Sequence, residues 1–295
     1  MNFKVIFKCM LLAGLPFLAA CNSDDTDLQM VQPLQLCVST GVSESRAVVD
    51  GWFLPEGGQL GVSLVAADGS AYDGKSYNNI PYTATGNGYD TPQTWSCTGS
   101  VVPSLSTTLG KAVAYYPYNE SVTDLTAIPI ETASQTDYMY SGWYSYLYYA
   151  TPKANLTMNH AMAVIKAKKK KETLGSYTQL VSIQITGDMI GSSAILNATE
   201  GTLSSISGLG ESITIKKEDG LKVTEDDEYI TVEMLVIPDS SITSGDLVIN
   251  VRVDDGSGNA LNTINIGSSS AISQPLVSGK KYYCFKNSGG GNAPS

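Results

Sequence analysis

Apolar and polar residues alternate with period two in one stretch of the chain after another. In "PLQLCVST", Leu34, Leu36 and Val38 fall on one face and Gln35, Cys37 and Ser39 on the other, which predicts a short half-buried strand. "ANLTMNHAMAVIKAK" places Leu156, Met158, His160, Met162 and Val164 on one parity, and "DLVINVRV" does the same with Leu247, Ile249, Val251 and Val253. "GGQLGVSLVAADGSAYDG", "TLGKAVAYYPYNE", "SGWYSYLYYATP", "QLVSIQITG", "ESITIKK", "EYITVEMLVIP" and "GKKYYCFKN" read as further strands. No segment sustains a helical period over three turns. Strands broken by turn signals at this density predict an all-β chain of β-sandwiches. A boundary near residues 150–154 divides it into two domains of ordinary size.

One stretch breaks the alternation. Cys9 to Ala20 is a continuous apolar run of twelve residues, preceded by Lys4 and Lys8 and closed by small residues. It is shorter than the roughly 20 residues that cross a bilayer, and it has no polar face for a packed helix. That order predicts a secretory signal peptide over residues 1–20. Leu18-Ala19-Ala20-Cys21 resembles the lipobox of bacterial lipoproteins, which makes Cys21 the expected site of lipidation. Several acyl chains, at about 0.8 kcal/mol per buried methylene, would then hold the protein to the outer membrane. Residues 22–33 are polar and read as a tether, and Asn22-Ser23-Asp24-Asp25 resembles a short acidic export signal for the outer face of that membrane.

Charge narrows the partners. The 295 residues carry 18 Lys plus Arg against 28 Asp plus Glu. Without Lys4 and Lys8 the balance is 16 against 28, or −12, which disfavours nucleic acid and anionic lipid. Of five cysteines, Cys9 leaves with the signal and Cys21 is lipidated. The remaining Cys37, Cys97 and Cys284 are odd in number and read as small buried hydrophobes rather than a disulfide framework.

Catalytic chemistry has no foothold in the pattern. His160 is the single histidine, and no G-x-S-x-G elbow or Cys/His cluster accompanies it, so no cofactor, metal or catalytic residue is expected. Its inward parity predicts a packed, hydrogen-bonded side chain. Asp254 to Asn259 superficially resembles a calcium loop, but a hairpin turn accounts for the segment better. The basic run Lys168 to Lys171 reads as a solvated edge that discourages sheet-to-sheet pairing. Aromatic residues gather at Tyr115, Tyr116 and Tyr118 and again at Trp143, Tyr144, Tyr146, Tyr148 and Tyr149. Such rings pack in sandwich strands and also stack on sugars, so Trp143, Tyr144 and Tyr146 are candidate adhesive positions.

Several stretches together resemble the fimbrillin family, the lipoprotein pilins of type V pili. They are the lipobox Cys21, Ser45-Arg46-Ala47, "EGGQLGVSLV", "YNNIPYTA" with Trp95 downstream, "AYYPYNE", "QTDYMYS", "LTMNHAMAVIKAK" and "VSGKKYYCF", in that order. The resemblance implies two transthyretin-like β-sandwich domains in tandem, over residues 47–153 and 154–295, and no enzymatic activity. It implies residence on the cell surface and in fimbriae, with adhesion to a host or bacterial surface ligand. An arginine-specific cut between Arg46 and Ala47 would release residues 21–46, including the removable strand marked by Leu34, Leu36 and Val38. A neighbouring subunit's donor strand would then fill the groove by β-augmentation, making other fimbrial subunits the expected partners. The alternative is a glycan-binding surface lipoprotein of a nutrient-uptake system. Ser288 to Ser295 holds three glycines and a proline and no alternating apolar set, so the sequence predicts a subunit that receives a strand without donating one, at a filament tip or as an accessory protein.

Overall fold

The computed structural model describes residues 34–43, 57–85, 92–174, 179–219, 222–226, 228–254, 262–272 and 274–285. Cys21, Arg46, Ala47, the hairpin turn expected at 255–259 and the tail at 288–295 lie outside these residues. Every described element is a β-strand except two 3-10 turns, Lys171–Leu174 and Lys217–Asp219.

The first eleven strands are β1 (Leu34–Gln35), β2 (Cys37–Val42), β3 (Gln59–Ala66), β4 (Tyr77–Ala84), β5 (Gln93–Cys97), β6 (Ser104–Leu105), β7 (Gly110–Tyr116), β8 (Ile128–Glu131), β9 (Met139–Tyr140), β10 (Tyr144–Leu147) and β11 (Lys153–His160). Eight of them form one sheet in the order β10-β7-β3-β4-β5-β2-β11-β9, and pairing of β7 with β9 closes it on itself. Inward residues such as Leu60, Val62, Tyr82, Leu156 and Met158 fill the enclosed core. The alternation in β11 therefore has a direct cause. Ala154, Leu156, Met158 and His160 point inward between exposed or half-exposed neighbours.

The second set is β12 (Ala163–Lys170), β13 (Gln179–Gly187), β14 (Ile190–Gly191), β15 (Ser193–Asn197), β16 (Thr202–Ser207), β17 (Ser212–Lys216), β18 (Lys222–Glu225), β19 (Tyr229–Pro238), β20 (Gly245–Asp254), β21 (Asn262–Ile272) and β22 (Lys281–Phe285). One sheet runs β14-β19-β12-β22, with β18 also on β19, and another runs β17-β13-β20-β21. Ile165 and Val232 of the first pack against Ile183, Ile249 and Val251 of the second in one core. The four alternating residues Leu247, Ile249, Val251 and Val253 all enter it, as their parity predicts.

The pattern "LTMNHAMAVIKAK" is two strands rather than one. β11 is bonded to β2 and β9 in the closed sheet. The chain leaves that sheet at Ala161 and Met162, and β12 then joins β19 and β22. Both faces of β12 are apolar at its start, because Ile165 and Ala167 face one core while Val164 faces another.

That third core is shared. Strand β8, from the first half of the sequence, pairs with β15, and β15 pairs with β16. Val113 and Tyr115 of β7 meet Ile128, Ile130, Leu196, Leu235 and Ile237 there. Gly201, at φ 74°, lies directly under the Tyr140 ring, where a Cβ would sit 2.1 Å from the ring. Only glycine meets both demands.

Three expectations are corrected. The basic run is an edge only in part: Lys168 is paired on both sides, with Thr231 of β19 and Phe285 of β22, whereas among the described residues Lys169 and Lys170 pair with β19 and Lys171 opens the 3-10 turn. Lysines of β12 and of the turn after it are matched by neighbouring strands: Lys166 reaches Glu233 at 2.5 Å, Lys168 lies 4.0 Å over the Tyr229 ring, and Lys171 is 3.4 Å from Glu225. Leu34 does not share the burial of Leu36 and Val38. It is 48% exposed on the two-stranded β1–β6 ribbon, while Leu36 is 1% and Val38 3% exposed. The thiols differ too, since Cys284 is buried and Cys97 half-buried but Cys37 is exposed on the outer side of β2. Burial pushes the Cys284 thiol up to about 11.

Candidate functional site

Strand β2 is an interior stave of the closed sheet. Cys37 to Val42 run parallel to Lys153 to Met158 of β11, and Val38, Ser39 and Thr40 run antiparallel to Trp95, Thr94 and Gln93 of β5. Backbone bonds secure both ends: Leu36 N–H donates to Pro103 O, Cys37 N–H to Pro152 O and Ser43 N–H to Met158 O, each at 2.9 Å. Leu36 and Val38 insert into the enclosed core, each burial being worth about 1.5–3 kcal/mol.

Polar contacts refine the seat. The Trp95 indole N–H donates to Thr40 Oγ1 at 2.9 Å, wholly inside the core. The Tyr82 phenol donates to the Leu36 carbonyl at 3.3 Å, and burial holds its pKa far above the ordinary value, so it remains a donor. On the outer face the Ser39 hydroxyl donates to Asn155 Oδ1 at 2.7 Å. Removing β2 would open the sheet, strip β5 and β11 of ladder partners and uncover the apolar core. Only another strand can restore both the ladder and the packing.

Sequence reasoning found Leu36 and Val38 of this seat and missed Thr40, Trp95 and Tyr82 as its polar anchors. Trp95 and Thr40 belong to strands 55 residues apart, so no local pattern links them.

The aromatic candidates are less uniform than their spacing suggests. Tyr146 is 79% exposed, Trp143 is 40% exposed, and Tyr144 is half-buried against the enclosed core. Lys111 Nζ covers the Trp143 ring at 4.7 Å. Within β10 the register on β7 shifts between Tyr144 and Leu147, and Tyr146 takes φ 67° there.

His160 is buried and pairs through Nδ1 with Asp137 Oδ2 at 2.8 Å, the packed role its parity predicts. Among the described residues no three His, Cys, Asp or Glu side chains converge as a metal site.

Fold and seat together define a class: all-β proteins in which an early strand, here β2, is an interior member of a closed sheet. A fimbrillin-like family matches residues 45–285, and the chain belongs to that family. Its fold is similar to that of a candidate cell adhesion protein from Bacteroides uniformis ATCC 8492, at TM-score 0.59 and 18% identity over 88% of this chain and 92% of that one. A second candidate cell adhesion protein, from Bacteroides ovatus ATCC 8483, aligns at TM-score 0.55 and 18% identity over 85% and 91%. A search of curated proteins returns no significant match.

Proposed function

We propose that this protein is a non-enzymatic fimbrial or adhesive subunit of the cell surface, in which β2 is exchanged for the strand of a neighbouring subunit. The supporting observation is the seat itself, an interior stave bonded on both sides and followed within a few residues by Arg46. Family membership supports assembly with other fimbrial subunits at a surface appendage. In this reading the chain is exported as a lipoprotein through Cys21, cut between Arg46 and Ala47, and freed of Leu36 and Val38 with their strand. The tandem-domain division expected at 153–154 belongs to the same reading, and the pairing of β11 with β2 and of β12 with β19 supports drawing it later, at Ala161–Met162.

The chain holds two arginines, Arg46 and Arg252. Arg252 lies within β20, bonded on both sides by β13 and β21, where a protease cannot thread the backbone. An arginine-specific protease should therefore cut the folded protein once, leaving Ala47 as the new amino terminus. Amino-terminal sequencing of surface-recovered protein tests the same step in the cell. Cys21→Ala should move the precursor to a soluble fraction. Normal filaments built from Arg46→Ala protein would overturn strand release. A second reading, glycan binding at Trp143 and Tyr146, is favoured by the exposure of Tyr146, and loss of glycan affinity in Tyr146→Ala would support it.

A further inference from the structure

The seat of β2 asks for more than an apolar strand. Trp95 is 5% exposed and its indole has a single N–H, directed at Thr40 Oγ1 from the diagonal position across the β2–β5 pair. An indole donates and cannot accept, so a partner without an acceptor there leaves the buried N–H unpaired. We infer that any strand able to occupy this seat carries a hydrogen-bond acceptor side chain, such as Thr, Ser or Asn, at the Thr40 position, and that Trp95 is the residue that reads it. This rests on the proposal that β2 is exchanged for a neighbour's strand.

The geometry also sets the register. Sliding a strand of the β2 pattern by one residue turns Leu36 and Val38 outward. Sliding it by two keeps the apolar face inward but brings Val38 or Val42 against the indole, where neither offers an acceptor. The enclosed core thus selects parity, and Trp95 selects one position among those that parity allows. Ser39 adds a size limit, since it is buried on the outer face against Asn155. The partner is accordingly a protein strand of the form apolar, any residue, apolar, small, acceptor, matching Leu36 to Thr40. An uninterrupted run of aliphatic residues, although more hydrophobic, fits less well because it orphans a buried donor.

The full chain, cut with an arginine-specific protease, is challenged with fluorescent peptides spanning Leu34–Ser43, and entry is followed by polarisation. The native peptide and Thr40→Ser should bind within about threefold of each other, while Thr40→Val, equal in shape and lacking the acceptor, should bind about 10- to 100-fold more weakly. In a Trp95→Phe chain the native and Thr40→Val peptides should bind alike. Should that chain not fold, hydrogen exchange of the Trp95 indole proton in the native chain is the second readout, slow under the native peptide and fast under Thr40→Val. Equal affinity and equal protection for both peptides would overturn the inference while leaving strand exchange intact. If no peptide enters the cut protein, even in mild denaturant, strand exchange itself fails and the inference fails with it.

Discussion

The Gln135 side chain is bonded to both polar groups of Leu235. Its Nε2 donates to Leu235 O at 2.9 Å, and Leu235 N–H donates to its Oε1 at 2.9 Å. Along this side of β19, strand β18 pairs with Ile230 to Glu233 and β14 with Ile237 and Pro238. The carboxamide fills the gap between them as one peptide group of a strand would. Thr132 completes the edge by donating its hydroxyl to Gly191 O at 2.7 Å and accepting from Ile237 N–H at 3.3 Å. Both residues lie between β7 and β9 in sequence, so they tie the closed sheet to the second set of strands.

Gln135→Leu keeps the volume and deletes the amide. It leaves a buried N–H and C=O of Leu235 unpaired, and should lower unfolding free energy by about 2–4 kcal/mol. Chemical denaturation monitored by tryptophan fluorescence measures it. A loss below about 0.5 kcal/mol would mean the bridge is redundant.

Leu36→Ala and Leu34→Ala should part company. Leu36 fills the enclosed core, and truncation there should cost about 2–4 kcal/mol, whereas the exposed Leu34 should change stability by less than about 0.5 kcal/mol. Thermal unfolding of the uncut chain compares them directly. Similar losses at both positions would contradict the difference in burial.

Glu233 gives an acid-labile contribution. Burial raises its pKa, but the hydrogen bond and charge of Lys166 and the charge of Lys281, 3.5 Å away, outweigh it and hold the carboxyl below its ordinary value. A carboxyl with a depressed folded pKa adds stability above its unfolded pKa, and that stability is lost as pH falls through the folded value. Glu233→Gln should therefore destabilise the protein at pH 7 and make little difference near pH 2. Stability curves of the two proteins across this range should converge at the acid end.

Tyr146 sits at positive φ, where a Cβ is strained, and its ring is mostly in solvent. Tyr146→Gly relieves the strain and should leave stability unchanged or raise it by up to about 1 kcal/mol. A clear drop in melting temperature would show that the exposed ring contributes to folding. Retained stability makes this variant a clean probe of any adhesive role.

Much of the fold was legible because strands half-buried in a sheet must alternate. Leu247 to Val253 and Ala154 to His160 announce themselves without a partner in view, and β13 coincides with "QLVSIQITG". The break at Ala161–Met162 was not legible, since residues on both sides continue the same apolar parity while serving different cores. The lysines of β12 misled for a related reason. A charged outer face looks the same in sequence whether the strand is an edge or, as at Lys166 and Lys168, lies between β19 and β22 and is matched by Glu233 and Tyr229.

Local sequence was enough to establish an all-β chain, the inward role of Leu36 and Val38, the packed state of His160 and the resemblance to fimbrillins, because each follows from side-chain period or from motifs in order. The tertiary structure alone decided that β2 is an interior stave, that Leu34 is exposed, that Trp95 meets Thr40 and that Gln135 stands in for a strand. Hydrogen-bond partners far apart in sequence are chosen by how sheets close and stack, and period-two alternation states which face is buried without naming what lies against it.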